Sequence, residues 1–485
     1  MGIATITLLS WTCAGTLLIW IFTRGRHHLA TRPPYPPGPP ARGLLSGNAS
    51  DLVLKFPWLA YMEWARKYGD LLHFRAYNQH IIVINSEKAA TELLERRSAI
   101  YSSRPFVPMW DLMGVSYATG VRDYSPEWQS HRRIFQQILR QSAAARYQPT
   151  QTEKIRNMLH GMLTTPDEFR AHLNTASGAI IMSVMYGYDV APVNDPFVAL
   201  VEVTQVVFER GASLSWLVNS VPVLRHIPSW CPGAGFKRYA TSVNSQVIEQ
   251  LDRPFKYVLD KMAAGTVRHS VVSSLLDNCK SEKDLQMLRE VAGTGYAAGV
   301  NTTASALLVF IVAMILNPGI QERAQHEIDS ITGGDRLVEY SDHASLPYLE
   351  AILREVIRWR PITPLGLPHA SNDEDVYRNC YIPKGSLVIS NIWAMSRNSE
   401  KYKDPDTFNP DRFLDANGAL TDDEVIYAFG FGRRICPGRH LAIASAWLMM
   451  ATMLQIFDLR QRKDPSGKDI PLDVKWDDAL VWYVD

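Results

Sequence analysis

A mainly α fold with minor β is predicted, in one large domain, and three observations predict it. Long stretches carry apolar residues at helical spacing, the alternating runs are short and few, and no Ser/Gly linker or composition break divides the chain after residue 45. The chain has 485 residues, 46% hydrophobic and 10% aromatic, enough to bury a large core. No internal repeat at solenoid or propeller periods is visible.

The elements follow in order. Residues 2–23 carry no charged side chain, about the length a bilayer-spanning helix needs, and Arg24, Arg26 and Arg32 follow. A membrane anchor over 1–24 is expected, with the body of the protein on the cytosolic side. A cleaved signal fits less well, because no basic n-region precedes the stretch. Pro33-Pro34-Tyr35-Pro36-Pro37-Gly38-Pro39-Pro40 cannot continue a helix, so 25–45 reads as a stiff proline-rich linker and 46–485 as the domain.

Within the domain, 58–68 reads as a helix, 71–75 and 81–84 as a strand pair, and 86–97 as a helix capped by Ser86. Residues 101–124 lack periodicity, which in a compact domain points to a functional or mobile loop. Helical patterns return over 126–139, 167–186, 196–211, 236–262 and the long run 282–317. That last run opens on the capping-box-like Ser281-Glu282-Lys283-Asp284 and stops at Asn317-Pro318-Gly319. Short strands are expected after Pro361 and near the C-terminus.

The net charge of +1, from 50 Lys plus Arg against 49 Asp plus Glu, offers nothing to nucleic acid or other polyanions. Five scattered cysteines, at 13, 231, 279, 380 and 436, indicate a reducing compartment rather than a disulfide framework.

One cysteine stands apart. Phe429-Gly430-Phe431-Gly432-Arg433-Arg434-Ile435-Cys436-Pro437-Gly438 sets Cys436 between a glycine-rich loop and an apolar helix expected to start at Pro437. A helix N-terminus lowers thiol pKa and steadies a thiolate, and glycines let backbone approach a flat macrocycle. An isolated cysteine ordinarily packs as a small hydrophobe. Five positions in register, Phe429, Gly432, Arg434, Cys436 and Gly438, argue instead for a haem-iron ligand. Cys231-Pro232-Gly233 lacks that upstream pattern and reads as loop.

This segment resembles the cysteine loop of the cytochrome P-450 family, the haem-thiolate monooxygenases, and the likeness extends along most of the chain. The resemblance implies the cytochrome P-450 fold, haem bound through Cys436 with Phe429 and Gly430 in the binding loop, and haem-propionate donors at Trp128, Arg132, His369 and Arg434. In 296–303 it places Ala298 or Gly299 where the long helix makes room for dioxygen, and Thr302 where a hydroxyl passes protons to it. Back-bonding of Thr302 to a carbonyl one turn earlier is the bland alternative. Relatives commonly carry an acid just before that threonine; here it is Asn301, which cannot titrate. Water held by Thr302 and Thr303 is then the expected proton route. Glu355, Arg358 and Arg412 correspond to a buried structural cluster.

The resemblance further implies an NADPH-cytochrome P-450 reductase as electron donor, O2 as co-substrate, a basic face at Arg133, Arg433 and Arg439, and a single-pass endoplasmic reticulum membrane protein. Pocket walls are expected in 106–121, 200–218, 296–303 and 362–367, largely apolar, for a substrate such as a terpenoid of fungal secondary metabolism. The C-terminus, Trp482-Tyr483-Val484-Asp485, stops before a strand that relatives usually add, which raises a poorly active product as an expectation. Two rivals remain: an isomerase or dehydratase on the same fold, and a haem-binding membrane protein without turnover.

Overall fold

The structure, a computed structural model, describes residues 32–474 and Trp476, apart from positions 53, 54, 193 and 214. The expected anchor and the last residues, including Trp482 to Asp485, lie outside the described ones.

Helices dominate. Gln148–Thr164, Phe169–Tyr186, Asn301–Leu316, Pro318–Thr332, Pro347–Trp359 and Arg439–Ile456 share one core, with Phe310, Leu349, Ile352 and Trp447 fully buried in it. Asn301–Leu316 is apolar nearly all round, the pattern of a helix enclosed on every side. The run Glu282–Leu316 is long and apolar enough to cross a membrane, but 67% of its most apolar window is buried inside the fold. It is a core helix.

The local rules that set the helix ends are visible. Ser125 caps Pro126–Leu139 by accepting from the Trp128 N–H, and Pro126 fills the first turn, where no amide donor is needed. That helix buries Trp128, His131, Phe135, Ile138 and Leu139. Ser281 and Asp284 form a reciprocal capping box.

The main sheet is small. β1 (Leu71–Ala76), β2 (Gln79–Ile84), β3 (His369–Ala370) and β6 (Leu387–Ser390) lie in the order β1-β2-β6-β3, with β2 and β6 parallel and the other pairs antiparallel. β4 (Asp375–Tyr377) and β5 (Cys380–Ile382) make a separate hairpin. The strands expected near the C-terminus are absent among the described residues, where the isolated bridges Leu414↔Leu420 and Lys463↔Asp469 occur. Residues 461–473 are mostly exposed and are interrupted by Pro465, Gly467 and Pro471.

The proline-rich stretch does not stand off from the domain as a spacer. The Tyr381 N–H donates to Pro34 O (2.8 Å), the His73 N–H to Pro37 O (3.0 Å), and Tyr35 stacks on His73. The aperiodic 101–124 segment contains the short helices Pro108–Met113 and Val115–Tyr117. Met109, Trp110 and Met113 pack there with Val207, Val218 and Phe236.

Candidate active site

The cysteine loop is held at both ends. The Cys436 N–H donates to Phe429 O (2.8 Å), and Gly430 takes φ +88°. Gly432, at φ +52°, sits where a Cβ would collide with the Leu94 carbonyl oxygen. Packing against Thr91–Arg96 therefore requires a glycine at this position. The helix expected to begin at Pro437 begins at Arg439, with Gly438 as its N-cap. Pro437 and Gly438 serve as the turn that aims the first amides back at the cysteine.

A Cβ on Gly438 would stand 3.9 Å from the Cys436 sulfur. Burial pushes the Cys436 thiol up, while the N–H of Gly438, the guanidinium groups of Arg132 and Arg439, and the Arg439 N–H pull it down. Burial wins, so the depressed thiol expected from the helix end is not a property of the polypeptide alone. A coordinated metal would deprotonate such a thiol outright.

Around this loop the fold collects cations. Arg434 donates from Nε to Ser102 O (2.6 Å), stacks its guanidinium over Trp128 at 4.2 Å, and leaves Nη1 and Nη2 buried without a hydrogen-bond partner. Arg132 interacts electrostatically with Cys436, and burial holds it below the ordinary arginine range. His369 is buried, donates from Nδ1 to Tyr101 O (2.8 Å), and is held well below the usual histidine range by burial and by Arg104 and Arg434.

Arg104 escaped sequence reasoning. It donates to Gly120 O, Leu367 O and Pro368 O, and burial with repulsion from Arg434 holds it far below the usual range. The available signal was an arginine beside a proline, Arg104-Pro105, inside the aperiodic 101–124 segment. None of the three arginines forms an ion pair among the described residues; Asp123 attracts Arg434 only at range. Buried, under-paired guanidinium groups are the chemistry of an anion site, and the two propionates of haem fit it.

Glu355 and Arg358 are fully buried and form a bidentate pair, Nε to Oε2 at 2.6 Å and Nη2 to Oε1 at 2.8 Å. Arg412 adds a contact at 3.2 Å, the Asn409 N–H donates to Glu355 Oε1, and Arg358 donates to Ser396 O and Pro405 O. Every charge here has its partner.

The long helix breaks where expected. Glu282–Gly299 ends and Asn301–Leu316 begins at Val300. Gly299 does not clear space beside the site, because a Cβ there would meet Ile181 at 2.8 Å. Ala298, exposed, and Thr302, one turn on, share the open face, and Thr302 Oγ1 donates to Ala298 O (2.9 Å), the back-bonded arrangement. Asn301 and Thr303 are buried, so the structure separates Asn301 from Thr302 and does not set Thr303 beside it.

His131 also went unnoticed. It is buried, 2.9 Å from Thr119 Oγ1 and 3.3 Å from Glu290 Oε2, which Arg122 also engages, so it ties the 101–124 segment to two helices. On the outside, a groove of about 490 Å³ along Pro126–Leu139 is lined by Trp128, Arg132, Arg133 and Arg140 with three glutamines. Arg433 is exposed and bonded to Tyr124 Oη, and Arg439, half-buried, donates from Nη1 to Cys436 O.

Comparison with known proteins agrees with this geometry. Residues 36–476 match the family described as Cytochrome P450. The chain is 37% identical to cytochrome P450 monooxygenase ple1 of Rhodocybe pseudopiperita, over 97% of this chain and 91% of the relative. It is 37% identical to cytochrome P450 monooxygenase 98 of Postia placenta, over 92% and 87%, and 35% identical to cytochrome P450 monooxygenase claR of Ampulloclitocybe clavipes, over 96% and 88%. The chain belongs to the cytochrome P450 family. It is by class a haem-dependent monooxygenase.

Proposed function

We propose that this protein is a membrane-anchored monooxygenase of fungal secondary metabolism, with Cys436 as the axial thiolate and Arg104, Arg132, His369, Arg434 and Trp128 as the propionate and ring-edge contacts. The under-paired Arg434 beside Arg104 and Arg132 is the observation that carries it. When bound, haem with a thiolate ligand activates dioxygen for insertion of one atom into a C–H bond. Overall, R–H + O2 + 2e⁻ + 2H⁺ gives R–OH + H2O, the electrons arriving from a reductase that oxidises NADPH. Phe429, Gly430 and the N–H groups of Gly438 and Arg439 fix the sulfur, and Ala298 leaves the open face uncrowded beside Thr302. Glu355, Arg358 and Arg412 hold the segments on which these residues stand. The mostly apolar walls contributed by 106–121, 200–218 and 362–367 suit a hydrocarbon-rich substrate such as a terpenoid.

Replacing Cys436 with Ser should abolish the red-shifted Soret band of the reduced carbon monoxide complex, and Cys231→Ser should leave it. A normal spectrum from Cys436→Ser sinks the ligand assignment.

The uncharged 2–23 stretch followed by arginines supports residues 1–24 as a single-pass endoplasmic reticulum anchor, 25–45 as a strap and 46–485 as a cytosolic domain. The protein should resist alkaline carbonate extraction while protease added outside sealed microsomes digests the domain; protection reverses the topology. The Asn48-Ala49-Ser50 sequon is a poor reporter of that topology, because Asn48 is buried and its Nδ2 donates to Pro40 O (2.9 Å). The groove carrying Arg133 and Arg140 suits an acidic reductase surface. Charge reversal at both should slow reduction, less so as salt rises, and equal rates would leave it ordinary surface.

A further inference from the structure

Trp128 and Arg132 stand one turn apart on Pro126–Leu139, and neither side chain hydrogen-bonds to the protein among the described residues. Their directions are therefore set by the helix that carries them. On a cylinder of about 10–12 Å diameter, a rotation of about 20° would carry a side-chain tip about 2 Å sideways. That is more than a hydrogen bond tolerates.

Phe135, Ile138 and Leu139 bury this helix in an apolar cluster, but apolar contact is non-directional and leaves its rotation loosely defined. A directional tie is needed. Among the described residues, His131 is the buried side chain of this helix that hydrogen-bonds to other elements, and the remaining polar tie, Glu127 to Lys283 at 3.5 Å, is exposed. At 100° per residue, His131 lies about 60° from Trp128 and about 100° from Arg132 around the axis. It can thus face Glu282–Gly299 while they face Arg434 and Cys436.

His131 closes a ring of hydrogen bonds. Its Nε2 lies 3.3 Å from Glu290 Oε2, and because an ionised carboxylate only accepts, the imidazole N–H donates. Its Nδ1 lies 2.9 Å from Thr119 Oγ1, and the Thr119 N–H donates to Thr294 Oγ1 (3.1 Å). Thr294 and Glu290 are one turn apart on Glu282–Gly299, and Thr294 Oγ1 donates to the Glu290 carbonyl (2.7 Å), so the circuit returns to its start. Three separate stretches of chain meet in it. From outside the ring, Arg122 Nη2 (2.5 Å) and Gln286 Nε2 (2.7 Å) also hold the Glu290 carboxylate. Burial pushes that carboxyl up, yet the bonds from His131 and Gln286 and the charge of Arg122 outweigh it and hold Glu290 below its ordinary range.

We propose that His131 is a positioning residue for haem: through the ring with Thr119, Glu290 and Thr294 it fixes the rotation of Pro126–Leu139 and so aims Trp128 and Arg132 at the propionates. This rests on the reading of those two residues as propionate contacts. Groups that orient the direct holders of a metal centre are commonly worth about tenfold or more in its retention.

The test uses the full-length haem-loaded protein without substrate or reductase. Two quantities are read, the propionate bending bands in resonance Raman spectra and the rate of haem release to a scavenger globin. His131→Leu should shift the bands and release haem about tenfold faster, while the thiolate-type Soret band of the reduced carbon monoxide complex remains, because the cysteine loop is untouched. His131→Gln, which keeps a donor for Glu290 and an acceptor for Thr119, should restore both. Thr119→Val, a near-isosteric change, should shift the bands in the same direction with a smaller gain in release rate. Wild-type bands and release in His131→Leu overturn the proposal, and if that variant does not fold, the same result in Thr119→Val overturns it. Lower urea stability with unchanged bands marks a residue that only holds the fold, and overturns it too. Wild-type haem release after Trp128→Phe combined with Arg132→Met overturns the propionate reading underneath, and the proposal with it.

Discussion

Two buried arginine clusters stand in this fold, and they are built on opposite principles. Around Glu355 each guanidinium nitrogen is spent on a carboxylate or carbonyl oxygen, so every donor is satisfied and the Glu355–Arg358 pair can be packed to zero exposure. Around Arg434 three arginines and a histidine converge with no ion pair among the described residues, and two guanidinium nitrogens bond to nothing. Burial of a charge is tolerable when its partner is present in the polypeptide, and otherwise it marks where a partner must arrive. The first cluster is architecture; the second is a receptor for an anion.

The most severe way to break this contrast is Glu355→Gln. It strands Arg358 as an uncompensated buried cation, and we expect a loss of about 3–5 kcal/mol in urea unfolding, or no folded protein at all. A loss below about 1 kcal/mol would mean that the closed cluster does not hold the fold. Removing a cation from the open cluster should behave differently. Arg434→Met should leave the stability of haem-free protein within about 1 kcal/mol of wild type. It should still release haem to a scavenger about tenfold faster, a difference of about 1.4 kcal/mol.

Smaller effects sharpen the comparison. Arg412 contacts Glu355 from the rim, with Arg358 still in place behind it, so Arg412→Met should cost about 1.5 kcal/mol in the same unfolding assay. The least effect concerns pH. His369 is held well below the ordinary histidine range when folded, so below about pH 6.5 the unfolded chain binds a proton that the folded chain does not. The stability present above that pH is therefore lost as pH falls toward the folded value. Melting of the haem-free protein should show this slope, His369→Gln should flatten it, and an anion beside Arg104 and Arg434 should reduce it.

The sequence revealed the mainly helical class, the first hairpin, the Ser86 and Ser281 caps and the Pro126–Leu139 boundaries, because these rest on local spacing and capping chemistry. Cys436 was legible for the same reason, its signature being contiguous. Arg104 and His131 were not, since their significance lies in partners far along the chain, Leu367 and Glu290. The packing demands on Gly299 and Gly432 were not legible, because each glycine answers to a neighbour, Ile181 or Leu94, that no local pattern names. Pro437 misled by its preference for first helical turns: here it lies in the approach to one.

The docked proline stretch carries a consequence for the order of events during synthesis. Pro37 finds its partner His73 soon after both leave the ribosome, but Pro34 is held by the Tyr381 amide, made when most of the chain has been translated. Gly38 presses so closely on the His73 carbonyl that a side chain there could not fit. One end of the tether can thus be fastened early, while the other waits for the second hairpin. Contacts so distant in sequence close late and leave their partners exposed meanwhile. A nascent chain lacking the segment around Tyr381 would keep the Pro34 end unfastened, and quality-control proteases could read that loose end as the mark of an unfinished molecule.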